Sequence, residues 1–228
     1  MTNVQSREDR FKTLASFYKA DELLIHRLAL LAHDHRKARC QEAGFDPHIF
    51  RTMIDYTRFR EAEMVHEKLS SLRETIASLA VLDFGCLVAD YGLYFARLGA
   101  PVAIYDTAEA TEFALFRLAR EGLQARRFTI PTDYATLLHG INMAIFGEVL
   151  EHLDSPLDVL QSCVSQNVKY IFTSCYPYGD DSYFEKNGHS ASAQAQQPAC
   201  IDLLTQLFTR WPLKNKAVLW QRRPTPGE

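Results

Sequence analysis

The chain lacks most of the features that would place it in a specialised class. It has no excess of positive charge: 25 Lys and Arg stand against 28 Asp and Glu, a formal net charge of −3. A nucleic-acid partner would call for clustered cations. The pairs Arg126-Arg127 and Arg222-Arg223 are isolated, so no nucleic-acid partner is expected. No apolar run approaches the length of a membrane span, and the opening MTNVQSREDRFK has no apolar signal-peptide core. The expectation is a cytoplasmic protein with no membrane partner. Cysteine is sparse and odd in number, 5 in all (Cys40, Cys86, Cys163, Cys175, Cys200), with no C-x-x-C pair. This favours free thiols in a reducing compartment over a disulfide framework or a zinc site. There is no internal repeat and no long low-complexity stretch.

What remains is an ordinary globular composition, and 228 residues suit one α/β domain with an extra segment. The first third reads as helical. Residues 6–40 carry Phe11, Leu14, Phe17, Leu24, Leu28 and Leu31 at helix-like spacing. Gly44-Phe45-Asp46-Pro47 breaks the pattern, with Asp46 placed as an N-cap and Pro47 at the first helical position of a segment running to about Leu79. From residue 80 strands and helices alternate. Strands are expected at 80–85, 101–105, 126–130, 142–146, 169–174 and 214–222, and helices at 91–98, 108–121, 155–163 and 199–210. Such alternation means βαβ units and a parallel sheet. The expected organisation is a helical lid or extension over residues 1–79 in front of a doubly wound α/β domain over 80–228. Residues 179–198, rich in Ser, Ala and Gln, read as a long loop that orders on ligand binding.

Ligands of such sheets bind beyond the carboxyl ends of the strands. Gly85 ends the first strand in Val81-Leu82-Asp83-Phe84-Gly85-Cys86, and Asp106 follows the second, about 20 residues on. That spacing is a nucleoside-binding arrangement, in which the first loop admits the ligand to the backbone and the acid accepts hydrogen bonds from ribose hydroxyls. The fourth strand leads into Glu148-Val149-Leu150-Glu151-His152-Leu153. In this order and spacing VLDFGC, the strand-end acid and EVLEHL resemble the class I S-adenosylmethionine (SAM)-dependent methyltransferases, over roughly residues 75–175. The resemblance implies a Rossmann-like, doubly wound class I methyltransferase fold with an N-terminal helical extension, and SAM as cofactor. It also implies a cofactor site. Asp83, Gly85 and Leu87 would surround the methionine portion, Asp106 and Thr107 the ribose, Asp133 and Tyr134 the adenine, with Phe146, Gly147 and Glu148 beneath. From its position in front of the sheet, and not from any motif, the extension is expected to bring Tyr56 or an arginine to the SAM carboxylate.

The chain departs from the family's D/E-x-G-x-G-x-G loop: Leu87 and Ala89 stand where the second and third glycines are expected. Leucine there adds bulk where the ligand approaches the backbone, so either an altered cofactor pose or lost binding is implied. Asn142 replaces the acid that usually opens the fourth strand. Glu148, Glu151 and His152, at i, i+3 and i+4, would share one helix face and would need His189 to complete a metal site. EVLEHL is common in methyltransferases without metal, so no metal is expected, and His152 is read as structural. His26, His33, His35, His48 and His66 are read as solvated helix-face residues.

Beyond the fifth strand, Tyr176 and Tyr178 would overhang the methyl end of SAM, where ring faces suit a sulfonium cation. With Glu148 they are the candidate catalytic residues. The leading function is methyl transfer to a small-molecule substrate in secondary metabolism. The chain is also similar to what is expected of an azetidine-2-carboxylate synthase, in which the α-amine of SAM attacks its own γ-carbon and releases methylthioadenosine. A third alternative is a non-catalytic binding protein. The sequence assigns no oligomeric state.

Overall fold

The computed structural model describes residues 6–55, 58–177, 189–214 and 216–224. The N-terminal third is divided into five helices: α1 (Arg7–Tyr18), α2 (Glu22–Ala29), α3 (His33–Glu42), α4 (Pro47–Asp55) and α5 (Phe59–Ser71). Local chemistry sets the divisions. Ser6 and Asp9 form a reciprocal capping box at the start of α1, and Lys19 closes it in a left-handed conformation at φ 52°. Asp46 caps α4 as expected, its Oδ1 accepting from the His48 N–H at 2.7 Å and the Ile49 N–H at 2.8 Å.

The remaining elements are β1 (Val81–Phe84), α6 (Asp90–Arg97), β2 (Val102–Asp106), α7 (Ala108–Ala119), β3 (Arg126–Thr129), α8 (Tyr134–Leu138), β4 (Met143–Gly147), α9 (Pro156–Ser165), β5 (Tyr170–Ser174), α10 (Ala191–Leu207), β6 (Phe208–Pro212) and β7 (Ala217–Arg222). They build one sheet in the order β3-β2-β1-β4-β5-β7-β6. Neighbours among β1 to β5 run parallel, whereas β7 is antiparallel to both β5 and β6. Alternate strand residues serve opposite layers: Val81, Ile104, Ile145 and Phe172 face one core, Leu82, Ala103, Ala144 and Ile171 the other. The strand order reverses between β1 and β4, where Phe84 lies beside Phe146. Their carboxyl ends frame the expected crevice.

Three elements differ from the sequence reading. α10 begins at Ala191, inside the segment expected to be a loop; Ser190 caps it, and Ala and Gln are good helix formers. The expected helix end at 208–210 is instead β6, and α8 follows directly on Asp133, which caps it through the Thr136 N–H at 2.8 Å. No helix of the described residues is long and apolar enough to cross a membrane. All five cysteines are free.

The helical extension has its own core, built from residues such as Leu14, Ile25, Phe50 and Met53, and it includes Val88 of the first sheet loop and Phe113 of α7. A buried ionic joint fixes it there. Asp90, at the start of α6, accepts from the Arg117 guanidinium at 2.5 Å and from the Arg58 backbone N–H at 2.8 Å, and lies 3.8 Å from Arg10 of α1. The extension is thus anchored to the loop that carries the site.

Candidate functional site

A cavity of about 520 Å³ opens at the carboxyl ends of β1 and β4, within the ~300–1,000 Å³ typical of small-ligand sites. The loop after β1 contributes Gly85, Cys86, Leu87 and Val88 to its wall, and the end of β4 contributes Gly147 and Glu148. The helical extension covers it with His48, Arg51 and Thr52 of α4 and with Arg58.

The β1 loop keeps the backbone of a glycine loop without its glycines. Gly85, Leu87 and Ala89 have φ of 68°, 45° and 54°. A left-handed non-glycine residue costs roughly 1–2 kcal/mol, so surrounding contacts must hold it. The Leu87 N–H donates to Asp106 Oδ2 at 2.8 Å, while the Thr107 N–H donates to Oδ1 at 2.7 Å. The Leu87 side chain packs against the core of the helical extension. Its bulk therefore secures the lid to the loop.

Asp106, the strand-end acid, is thereby joined to the loop, and Thr107 caps α7 beside it. Burial raises the Asp106 carboxyl, opposed by the two backbone N–H donors. Each ionised oxygen keeps a further lone pair for a ligand hydroxyl. Asp133 is exposed at its cap, and Tyr134 lies half-buried with its ring 6.2 Å from that of Phe84. Phe146 is buried against Phe84, so only the backbone end of β4 reaches the cavity. Asn142 sits at the opposite end of β4, accepting from the Ala80 N–H at 2.8 Å. Its departure from the family pattern touches strand register rather than the cavity.

Asp83 is buried behind the loop and accepts from the Gly92 N–H at 2.8 Å. Burial, helped by the charges of Asp90 and Asp106, pushes its carboxyl up to about 8, against the Gly92 N–H and Arg117. The folded value exceeds the unfolded one, so its contribution to stability is full below about pH 4 and is lost as pH rises toward 8, at up to ~1.4 kcal/mol per unit. Asp83→Asn keeps the acceptor and removes this dependence. Urea denaturation at a series of pH values should show the variant gaining on the parent between pH 4 and 8, with no further gain above. A difference independent of pH would refute the assignment.

At the other end of the cavity the expected helix is a 3-10 turn, Leu150–His152, preceded by Glu148 at φ 54°. Glu148 is held by the Arg58 guanidinium, which outweighs burial and keeps its carboxyl below the usual range. Arg58 also lies 3.5 Å from Glu61, which accepts from the Tyr91 hydroxyl. Tyr91, a cavity residue, lies against Gly147, where an added Cβ would run into its ring. His152 and His189 meet edge to face at 4.7 Å, and burial lowers both imidazoles. A ligand oxygen of Glu151 and ligand nitrogens of these two histidines all lie within 4.8 Å of one another.

Two candidate residues, Tyr56 and Tyr178, lie outside the described residues. Tyr176 is turned away from the cavity. It is buried, and its hydroxyl donates to the Ala193 carbonyl at 3.0 Å and lies 3.3 Å from Cys200 Sγ. Burial raises its ionisation well above the ordinary value, and its hydroxyl faces α10 rather than the cavity. His48, read as solvated, lines the cavity, whereas His66 bonds to the Tyr94 hydroxyl at 3.0 Å and His26 packs on Phe11. Arg51 and Thr52 were not anticipated; no local pattern shows which face of α4 covers the sheet.

No protein-family model matches the chain, and no curated protein does. Among solved structures it is similar to magnesium protoporphyrin IX methyltransferase from Synechocystis PCC 6803 with bound SAM, at 14% identity over 97% of this chain and 100% of that one, TM-score 0.54. It is similar to an O-methyltransferase family protein from Burkholderia thailandensis, at 12% identity over 97% and 72%, TM-score 0.53. It also matches a protein from Nostoc punctiforme described as an O-methyltransferase, at 13% identity over 77% of this chain and TM-score 0.55; there the chain spans 60% of the other's length. The chain has the Rossmann-like class I methyltransferase fold.

Proposed function

We propose that the cavity binds SAM and that the protein is a SAM-dependent enzyme that transfers the methyl group to a small-molecule acceptor. The observation that carries this reading is the β1 loop. Leu87 and Ala89 adopt left-handed φ of 45° and 54°, and the Leu87 N–H meets Asp106, so the loop holds a glycine-like conformation where the glycines are gone, which supports nucleoside binding. The fold, the position of the cavity at the strand-order reversal and the cover by residues 1–79 are consistent with it.

In this reading Asp106 takes the ribose hydroxyls, with Thr107 alongside, and Asp133 and Tyr134 flank the adenine side. Gly85, Leu87 and Gly147 offer backbone to the methionine portion. Arg51 or Arg58 on the cover meets the SAM carboxylate. Bound SAM supplies an electrophilic methyl group, and the chain's task is to align the acceptor lone pair with the methyl–sulfur axis and exclude water. Glu148, held ionised by Arg58, is a weak base. It acts chiefly as negative charge facing the sulfonium and orients the acceptor proton.

Calorimetry should show SAM binding, and Asp106→Ala should weaken it about 10- to 100-fold, the loss of a charge-assisted hydrogen bond worth ~1.5–3 kcal/mol. Absence of binding in the unaltered protein would end the reading. Incubation with SAM alone, followed by mass spectrometry, should leave it intact. Methylthioadenosine formed together with a four-carbon cyclic amino acid would replace methyl transfer by intramolecular cyclisation.

A further inference from the structure

We propose that Glu151, His152 and His189 form a binding site for a divalent first-row transition metal, opening into the cavity below the end of β4. Their donor atoms already lie within 4.8 Å of one another, and all three residues line the cavity. Metal bonds of ~2.0–2.2 Å place two donors at most about 4.4 Å apart, so small side-chain rotations complete the site.

The juxtaposition is built by the chain and does not depend on long surface side chains meeting. Glu151 and His152 come from the turn after β4, and His189 from the segment entering α10. The Ser190 N–H donates to the Glu151 carbonyl at 2.9 Å, and the Ser192 hydroxyl and Gln196 amide donate to the Asp154 carbonyl at 2.6 and 2.9 Å. These bonds fasten the start of α10 to the turn and set the two imidazoles edge to face.

Two imidazoles and one carboxylate are the donor set of open transition-metal sites, whereas Mg²⁺ and Ca²⁺ favour oxygen ligands throughout. Glu151 is fully buried and His152 exposed. The carboxylate therefore forms the floor and the open coordination positions face the cavity.

Given the proposed function, the metal defines the acceptor class: a small molecule that chelates through a hydroxyl, carboxylate or similar donor, whose proton loss the cation favours. The sequence reading expected no metal because EVLEHL is common in methyltransferases that bind none, and it named His189 as the residue needed to complete a site with Glu148, Glu151 and His152. The structure brings His189 to Glu151 and His152, while Glu148 is held by Arg58.

Tag-free protein stripped with a chelator is titrated with Co²⁺, read by its visible d–d absorption, and with Zn²⁺ by calorimetry. One equivalent of each should bind, with Zn²⁺ displacing Co²⁺. His189→Ala and His152→Ala should each weaken binding more than about 100-fold, beyond the ~10–100-fold effect of a residue that only supports a ligand. His66→Ala should not. His152 is exposed and His189 only half-buried, so circular dichroism of both variants should match the parent. Absence of Co²⁺ bands, binding that survives both variants, or a preference for Mg²⁺ would overturn the proposal. SAM calorimetry on the same protein separates the two readings: metal binding without SAM binding ends the proposed function and leaves the metal site standing.

Discussion

Asp90→Ala is expected to destabilise the protein by about 3–5 kcal/mol, the cost of removing one partner from a buried ion pair. For a chain of this size that lowers the melting temperature by roughly 6–20 °C. The side chains of Asp90, Arg117 and Arg10 are only 1%, 0% and 7% exposed. The variant leaves two buried guanidiniums without their shared carboxylate. Arg117 keeps the Val88 carbonyl at 2.6 Å and Arg10 the Thr52 carbonyl at 3.0 Å, but neither is a counter-charge. Asp90→Asn keeps an acceptor for the Arg58 N–H and should fall between the variant and the parent. The damage is directed at the site, because Asp90 also fixes the start of α5 and lies next to the β1 loop. SAM affinity should therefore fall along with stability. A loss below about 1 kcal/mol in thermal or urea denaturation would show that the joint is a solvated surface pair.

That joint marks the boundary between what the sequence reveals and what it conceals. The parallel strands β1, β2, β4 and β5 were legible because each is a short apolar run bounded by glycine, proline or a charged residue, and buried central strands carry that pattern. β6, reading FTRWP, was not: it is an edge strand in which only Phe208 is buried, and it continues directly from α10. α8 has 5 residues, too few to display a helical period. The start of α10 was mistaken for a loop because its Ser, Ala and Gln texture, with Pro198 inside, resembles a linker.

The candidate site divides in the same way. Gly85, Asp106 and the EVLEHL turn were legible as local motifs. The loss of two glycines was legible too, but its consequence was not, since composition does not report that Leu87 and Ala89 hold the glycine conformation. The contributions of α4 depend on how the extension lies over the sheet, a long-range contact with no local signature. His189 was named from the sequence as the residue that would complete a metal site, but the hydrogen bonds between α10 and the β4 turn that bring it there have no local signature.

Gly85→Ala tests whether the β1 loop is as constrained as its dihedrals indicate. Gly85 has φ 68°, and a Cβ placed there would lie 2.5 Å from Cγ2 of Val149. The first feature costs roughly 1–2 kcal/mol and the second a further ~1–3 kcal/mol of overpacking. The expected loss is therefore about 2–5 kcal/mol. The two contributions are separable, because Val149 is half-buried and is removed in the double variant Gly85→Ala/Val149→Ala. Relief of the clash should return the overpacking share and leave the dihedral share, so the double variant should be more stable than Gly85→Ala alone. Equal stabilities would place the whole cost in the backbone, and no cost in either would mean that the loop relaxes freely. The backbone N–H groups of Gly85 and Cys86 both donate to the Tyr105 carbonyl, at 2.8 and 3.2 Å. A loop displaced by the new methyl group would move Leu87 away from Asp106, so SAM affinity in the double variant should follow the recovery in stability. Stability recovered without affinity would show that the cavity needs the bare glycine for the ligand's own approach.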